Sequence, residues 1–296
     1  MLKKSFVKSF LLVVFLAILG GSISTFSKLS LQKIPPLTFT FLRFFLASMI
    51  LFPFFVKNKI HWKGIWKVIL VSFLATVNVM LFIFGLQKTT APLATTLYVI
   101  VPLLVSVLSY FFLKEHLKKK KIFGIFLGVI GFSILLFIPL INNQERFHGD
   151  LLGNFLIFIA ILSFSFYSVL SKKLQKEYTP FQLTFIFVVV TSILTFFFSF
   201  LEIKNPWWNN LSSASILSVI YVGVLGTGIF YLLYQYTIKR TTPLLTSMSL
   251  YLQPFAAVFF AYSFLGEGIT TGFILGCILS LIGVWFVTSE SLISKK

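Results

Sequence analysis

The sequence predicts an all-α polytopic membrane protein, with ten transmembrane helices in two inverted five-helix repeats around a central cavity. The first observation is composition: 58% of the 296 residues are hydrophobic and 11% are charged, whereas soluble domains carry about 25% charged residues. The second is an internal repeat, because an offset of 152 residues takes Pro102 to Pro254 and Glu115 to Glu267. A match sustained over two apolar segments indicates a duplicated unit.

Apolar segments long enough to cross a bilayer, which takes about 20 residues per helix, occur ten times. They lie near residues 9–28, 36–56, 65–86, 92–113, 122–141, 150–172, 180–200, 213–237, 243–265 and 271–288. Several begin at a proline, where the missing backbone N–H leaves no hydrogen bond unmade. The first segment has a basic start and also resembles a cleaved signal peptide. Its counterpart in the second half favours a retained helix.

The repeat continues upstream with an offset of 144 residues, which takes Lys28 to Lys172 and Pro36 to Pro180. We therefore expect two repeats, residues 1–143 and residues 144–296. Each contains five spans, an odd number, so the second repeat must cross the membrane in the opposite sense. Inverted repeats of this kind are a common architecture of secondary transporters.

The basic residues between the spans are distributed unevenly. With ten spans, nineteen lysines and arginines lie on the side of the termini and five lie on the other side. The positive-inside rule then places both termini and the Lys118–Lys121 run in the cytoplasm. The net charge of +18 accordingly indicates topology and contact with lipid head groups rather than nucleic-acid binding. The expected partners are the lipid bilayer and a small-molecule substrate, with no nucleic acid.

Short motifs recur at fixed places in the two halves. They are the central prolines, the acidic residue that ends the same span and the glycines of the span that follows, and the first half also carries the second-span segment FTFLRFFLASMILF. Together they resemble EamA-type permeases of the drug/metabolite transporter superfamily. The first span, ILGGSISTFSK, also resembles that family, except that Gly20 stands where a tryptophan is usual. The resemblance implies a cavity lined by spans 1–4 and 6–9, and transport of small metabolites, often amino acids and often outward.

Enzymatic chemistry has little support in the sequence. All seven acidic residues and all three histidines lie at span ends or in loops. Membrane enzymes and metal sites need such groups inside the membrane. We therefore expect no enzyme, no catalytic residues, no metal site and no cofactor. Proton coupling through a buried carboxylate is disfavoured for the same reason.

The central prolines of spans 4 and 9, Pro102 and Pro254, are predicted to act as hinges. Each removes one backbone hydrogen bond and should free a carbonyl four residues earlier, at Tyr98 and Leu250. A free carbonyl in a membrane must face protein or a water-filled cavity. A kink used only for packing is the alternative.

A substrate site is predicted near the midplane, where polar groups need a cavity to reach water. Its predicted residues are Asn78, Tyr98, Tyr231, Tyr234, Gln253 and Arg43. Spans 1 and 6 are expected to form further walls, and hydrogen bonding between helices explains their serines well. Arg43 is the only charge well inside a span, and it could bind a substrate carboxylate or cap backbone carbonyls.

These observations predict a secondary transporter of the plasma membrane. It would move an amino acid or a related polar or amphipathic metabolite by alternating access, with export as the direction that the resemblance favours. A channel-like facilitator and a non-transporting membrane scaffold are the alternatives. The G-x-x-x-G patterns at Gly124–Gly128 and Gly272–Gly276 indicate either packing within the chain or a homodimer.

Overall fold

The computed structural model describes residues 2–56, 62–114, 119–141, 150–202 and 206–267, and also 274–276, 278–279 and 281–282. Within these ranges the chain is helical and contains no strand. The α-helices are α1 (Leu2–Leu31), α2 (Pro36–Val56), α3 (Ile65–Lys88), α4 (Ala91–Leu97), α5 (Val101–Leu113), α6 (Lys119–Ile141), α7 (Leu151–Leu174), α8 (Pro180–Ser199), α9 (Ser213–Tyr221), α10 (Phe230–Arg240), α11 (Pro243–Ser247) and α12 (Gln253–Leu265).

Seven stretches of the described residues are long and apolar enough to cross a membrane. They correspond to predicted spans 1–4 and 6–8, and shorter apolar helices at Ile122–Ile134 and Ser249–Leu265 correspond to predicted spans 5 and 9. The all-α class is therefore confirmed. Several sequence features lie outside the described residues: most of predicted span 10, Glu115, Lys118, Cys277 and the three histidines, His61, His116 and His148.

Predicted spans 4 and 9 are each broken into two helices at the same place. In span 4 a 3-10 turn, Tyr98–Ile100, separates α4 from α5, and Pro102 lies in the first turn of α5. In span 9 the turn Met248–Tyr251 separates α11 from α12, and Pro254 lies in the first turn of α12. A proline in the first turn of a helix removes no intrahelical hydrogen bond. The prolines thus start new helices instead of bending continuous ones.

The backbone carbonyl of Tyr98, which the sequence led us to expect as free, is satisfied in the structure. It accepts a hydrogen bond from the backbone N–H of Val101 across the 3-10 turn. The expectation was wrong at this residue because a 3-10 turn supplies a donor one position earlier than an α-helix does.

The two broken spans also end alike. Helix α5 ends at Lys114 with φ of 57°, and α12 ends at Gly266 with φ of 66°. The N–H of Lys114 donates to the Ser109 carbonyl, and the N–H of Gly266 donates to the Ala261 carbonyl. Both residues are therefore left-handed helix caps, a conformation that suits glycine and is strained for lysine.

Helices of the first predicted repeat pack against helices of the second. The largest contacts between them join α3 to α7, α2 to α8, and α1 to α12, and α5 also packs on α7. Buried side chains from both repeats meet in the centre, where the rings of Phe44 and Phe187 contact edge to face at 5.4 Å. The core is therefore shared by the two repeats.

Span 8 contains a segment of π-helix, Val222–Ile229, between α9 and α10. Its glycines allow close approach, because a Cβ atom at Gly223 would lie 3.1 Å from both the Arg43 carbonyl oxygen and the Leu46 Cβ. The π segment thus brings the backbone of span 8 against α2. Such segments are rare and often lie at functional sites.

One glycine of the G-x-x-x-G pattern in predicted span 5 packs within the chain. A Cβ atom at Gly128 would overlap the side chain of Leu103 on α5. Close packing inside the molecule therefore accounts for this glycine, and the homodimer stays a prediction.

Candidate functional site

A cavity lies between the two repeats. It contains about 580 Å³ of space that protein atoms do not fill, including a part open to solvent. Seven spans contribute to its wall, and both 3-10 turns and the π segment supply residues. The lining residues are Gly20, Ile23, Arg43, Asn78, Val79, Phe82, Thr95, Tyr98, Phe164, Gly226, Phe230, Tyr231, Leu250 and Gln253.

The lining includes every residue of the predicted substrate site except Tyr234. That side chain is fully buried, and its hydroxyl group lies 3.1 Å from the Ser168 hydroxyl. Its ring contacts the rings of Phe164 and Phe230, with centroids 5.3 and 6.0 Å away. Tyr234 therefore supports two residues of the wall from behind and does not face the cavity.

Asn78 joins three elements around the cavity. Its amide nitrogen donates to the Tyr98 hydroxyl oxygen at 2.5 Å and to the Ala160 carbonyl at 2.8 Å. These bonds connect α3 to the 3-10 turn of span 4 and to α7. The Tyr98 ring also packs edge to face against Phe82 and Phe164. Asn78 and Tyr98 are thus held in fixed positions by both repeats.

Arg43 brings a buried positive charge to the cavity. Its side chain is 3% exposed, and its guanidinium carbon lies 5.0 Å from the ring centre of Phe44 and 5.5 Å from that of Phe39. The Nε atom has no hydrogen-bond partner. Tyr98 and Tyr231 line the same cavity as Arg43. The two phenylalanine rings therefore make cation–π contacts with the guanidinium group, and each contact stabilises the charge by roughly 0.5–2 kcal/mol.

Gln253, at the start of α12, occupies space that Gly20 leaves on α1. A Cβ atom at Gly20 would overlap the Gln253 side chain, and a Cβ atom at Gly21 would lie 2.5 Å from the Gln253 carbonyl oxygen. The Nε2 atom of Gln253 has no hydrogen-bond partner. A tryptophan at position 20 would fill this part of the cavity, so Gly20 helps to set its shape.

Spans 1 and 6 contribute to the cavity wall as expected, but not through their serines. They instead contribute Gly20, Ile23 and Phe164 to it. Ser163 donates to the Leu74 carbonyl at 2.7 Å, and Ser165 donates to the Ile161 carbonyl at 2.8 Å. The Ser163 bond joins α7 to α3, as the alternative of hydrogen bonding between helices expects, whereas the Ser165 bond lies within α7.

Residues related by the repeat line the same cavity with different chemistry. The offsets of 144 and 152 residues pair lining residues as Gly20 with Phe164, Asn78 with Phe230, Val79 with Tyr231, and Tyr98 with Leu250. The first pair joins a small residue to a large aromatic one, and each of the other pairs joins a polar residue to an apolar one. The two repeats thus supply equivalent positions and unlike side chains.

A partly buried ion pair joins the repeats at the end of the bundle where α1 terminates, which we call the Lys28 end. The Lys28 ammonium group donates to the Glu267 carboxylate at 2.5 Å and to the Thr89 carbonyl at 2.6 Å. The other Glu267 oxygen accepts from the backbone N–H of Ala91 at 2.8 Å. One carboxylate therefore holds the end of α12 against α1 and the start of α4.

The opposite end of the bundle, where α7 terminates, carries an equivalent lysine. We call it the Lys172 end. The Lys172 ammonium group donates to the carbonyls of Ile238 at 2.7 Å and Thr241 at 2.9 Å. The repeat offsets take Lys28 to Lys172 and Thr89 to Thr241. In each repeat, then, the lysine at the end of the first span donates hydrogen bonds to backbone carbonyls at the end of the third span.

A tyrosine also crosses between the repeats at the Lys172 end. The Tyr178 hydroxyl donates to the Lys63 carbonyl at 2.8 Å. Burial, together with the neighbouring Glu177 carboxylate, raises the pKa of Tyr178. The hydroxyl group therefore remains protonated and able to donate at neutral pH.

The comparisons with known proteins agree with this architecture. The EamA-like transporter family matches residues 7–137 and 151–289. The chain is 25% identical over 289 residues to the uncharacterized transporter YoaV of Bacillus subtilis (strain 168), covering 95% of this chain and 97% of that protein. An uncharacterized transporter of Clostridium kluyveri is 24% identical over 294 residues, covering 93% and 91%. A solved crystal structure covers 98% of this chain and 99% of its own at 16% identity, with a TM-score of 0.71, and so shares the fold.

The family match extends over most of both halves of the chain. The two matched ranges contain the apolar helices of both halves. This protein is a multi-pass membrane protein that belongs to the EamA-like transporter family.

Proposed function

We propose that this protein is a secondary transporter that moves a small polar or amphipathic metabolite across the plasma membrane by alternating access. The observation that carries the proposal is the cavity between the repeats. Arg43, Asn78 and Tyr98 reach it from the first repeat, and Tyr231 and Gln253 reach it from the second. Sites at the interface of inverted repeats are accessible from either side when one repeat rocks against the other.

The contacts at the two ends of the bundle support alternating access. Lys28 and Glu267 join the repeats at one end, and Tyr178 and Lys63 join them at the other. Opening either end requires breaking the contacts there while the cavity stays in place. The distribution of basic residues supports placing the Lys28 end outside and both termini in the cytoplasm.

Counterflow in proteoliposomes tests this function. Vesicles are loaded with a mixture of unlabelled amino acids and short organic acids, and labelled phenylalanine and labelled phenylpropanoate are offered outside as probes. A carrier accumulates label transiently and saturably, because exchange across one alternating site links the two directions. Protein-free vesicles provide the background.

Matched variants test whether the transported molecule passes through the cavity. Tyr231→Phe and Asn78→Ala should weaken the apparent affinity several-fold, because each removes a polar group from the lining. Tyr236→Phe makes the same chemical change on an exposed face of the same helix and should behave like wild type. Flux that does not saturate and shows no counterflow would indicate a channel-like facilitator. An absence of flux for every probe would indicate a scaffold, and either result overturns the proposal.

A further inference from the structure

The direction of the hydrogen bonds around Asn78 determines what the cavity offers to a ligand. The Ala160 carbonyl can only accept, so the atom facing it must be the amide nitrogen of Asn78. The same nitrogen then donates its second hydrogen to the Tyr98 hydroxyl oxygen. Tyr98 accepts in that bond, and its own hydrogen remains available. Asn78 therefore presents Tyr98 to the cavity as a hydrogen-bond donor.

Arg43 adds a second donor, with a full positive charge. A guanidinium group has donors and no acceptor, and the Nε atom of Arg43 has no partner. The ion pairs between described residues involve Lys28 and Lys88 at helix ends. Isolated charge in a membrane interior is costly unless something compensates it. The aromatic rings beside Arg43 compensate only part of that cost.

The remaining lining is mostly apolar, with the neutral polar side chains of Thr95, Tyr231 and Gln253, and it contains no carboxylate among the residues that the structure describes. Aromatic rings dominate the wall beside the donors, namely Phe82, Phe164 and Phe230. An ammonium group in this cavity would face Arg43 with no anion to pair with. A carboxylate would instead meet the guanidinium group and the Tyr98 hydroxyl, with space for an apolar body against the rings.

We propose that the cavity binds amphipathic organic monocarboxylates, with the carboxylate at Arg43 and Tyr98 and the apolar body against the phenylalanines. This inference rests on the proposed transport function and narrows its substrate class. An α-ammonium group is tolerated only if it turns toward the Asn78 side-chain oxygen, and it contributes no affinity. One guanidinium group balances one negative charge, so a monocarboxylate fits better than a doubly charged phosphate.

A series of three probes with the same aromatic body tests the charge preference on the wild-type protein. Phenylpropanoate is an anion, phenylalanine is a zwitterion and phenylethylamine is a cation at neutral pH. We measure binding to the purified full chain in lipid nanodiscs by calorimetry. The anion should bind at least as tightly as the zwitterion and at least tenfold more tightly than the cation. Equal binding of the amine, a tenfold preference for phenylalanine, or no binding of phenylpropanoate at millimolar concentration would overturn the proposal.

Variants of Arg43 identify the group that recognises the carboxylate. Arg43→Gln should weaken phenylpropanoate binding at least tenfold and should not weaken phenylethylamine binding, because it removes a charge that repels the amine, whereas Arg43→Lys should retain the order anion over cation. Unchanged anion binding in a folded Arg43→Gln protein would refute the assignment. If that variant does not fold, Tyr98→Phe serves instead, with an expected loss of several-fold for the anion alone.

Binding tests the proposed ligand class and counterflow tests the proposed transport function, so the two proposals can be distinguished. The expected binding order without any counterflow would contradict the transport function and leave the ligand class standing. Counterflow of phenylethylamine in preference to phenylpropanoate would contradict the ligand class and leave transport standing.

Discussion

Breaking the Lys28–Glu267 ion pair should open the Lys28 end of the bundle. Glu267→Gln preserves the size of the side chain and an oxygen that can accept from the Ala91 N–H, but it removes the charge that pairs with Lys28. The side chains of Lys28 and Glu267 are 23% and 13% exposed, so the pair is intermediate between exposed pairs, worth about 0.2–1 kcal/mol, and buried pairs, whose disruption costs about 3–5 kcal/mol. We take the loss of the pair to cost the closed state about 1.5 kcal/mol, which shifts the equilibrium between the closed and open Lys28 end roughly tenfold.

The assay is cysteine labelling from outside intact cells. Ile23 lines the cavity, and Ile23→Cys in a background where Cys277 is replaced by serine reports its accessibility to an impermeant reagent. Since the closed state shields this position, the labelling rate should rise roughly tenfold in Glu267→Gln. Lys28→Gln should give a similar rise, and the double variant should add little, because both substitutions remove the same interaction.

The control is the second ion pair at the same end. Lys88 and Asp150 lie 3.9 Å apart and are 47% and 52% exposed, so Lys88→Gln should change the labelling rate less than about twofold. An unchanged rate in Glu267→Gln, or an equal rise in Lys88→Gln, would refute the role of Glu267 in closing this end.

Three further predictions follow from the broken spans and from the loop charges. Pro102→Ala and Pro254→Ala should each reduce the rate of counterflow with normal expression, since a continuous helix would replace the break; wild-type rates in both variants would make the prolines packing features. Lys114→Gly should raise the thermal unfolding temperature, because a left-handed cap costs a non-glycine residue about 1 kcal/mol, whereas no change or a decrease would contradict that reasoning. Lys119→Cys should not react with an impermeant reagent outside intact cells, and labelling there would invert the topology.

The spans could be predicted because a long apolar run has few alternatives in a bilayer. The depth of a polar residue in its span is also visible in the sequence, which is why Asn78, Tyr98 and Gln253 could be selected. The sequence says less about which face of a helix points toward the cavity. Tyr231 and Tyr234 lie one turn apart on α10, and only the packing of Phe164 and Phe230 decides that one lines the cavity and the other does not.

Other features depend on contacts that no local pattern reveals. Lys28 and Glu267 are 239 residues apart, and in the sequence each is an ordinary charge at the end of a span. The glycines at 223, 226 and 228 indicate close packing, but the π-type hydrogen bonds of this segment and its contact with α2 are visible only in the structure. Gly20 was visible as a departure from the family pattern, and its effect on the cavity emerged only with Gln253 beside it.

The unlike side chains at equivalent positions bear on the resting state of the empty transporter. In an alternating-access cycle, inverted halves exchange conformations when the molecule passes from one state to the other. Identical halves would make these states equal in energy, so each would be half populated. The repeat pairs Arg43 with Phe187 and Gly20 with Phe164, and these unlike pairs remove that degeneracy. Every 1.4 kcal/mol of energy difference shifts the ratio of the two states about tenfold. The bias decides which side of the membrane first meets an empty cavity, while net direction still depends on the substrate gradient.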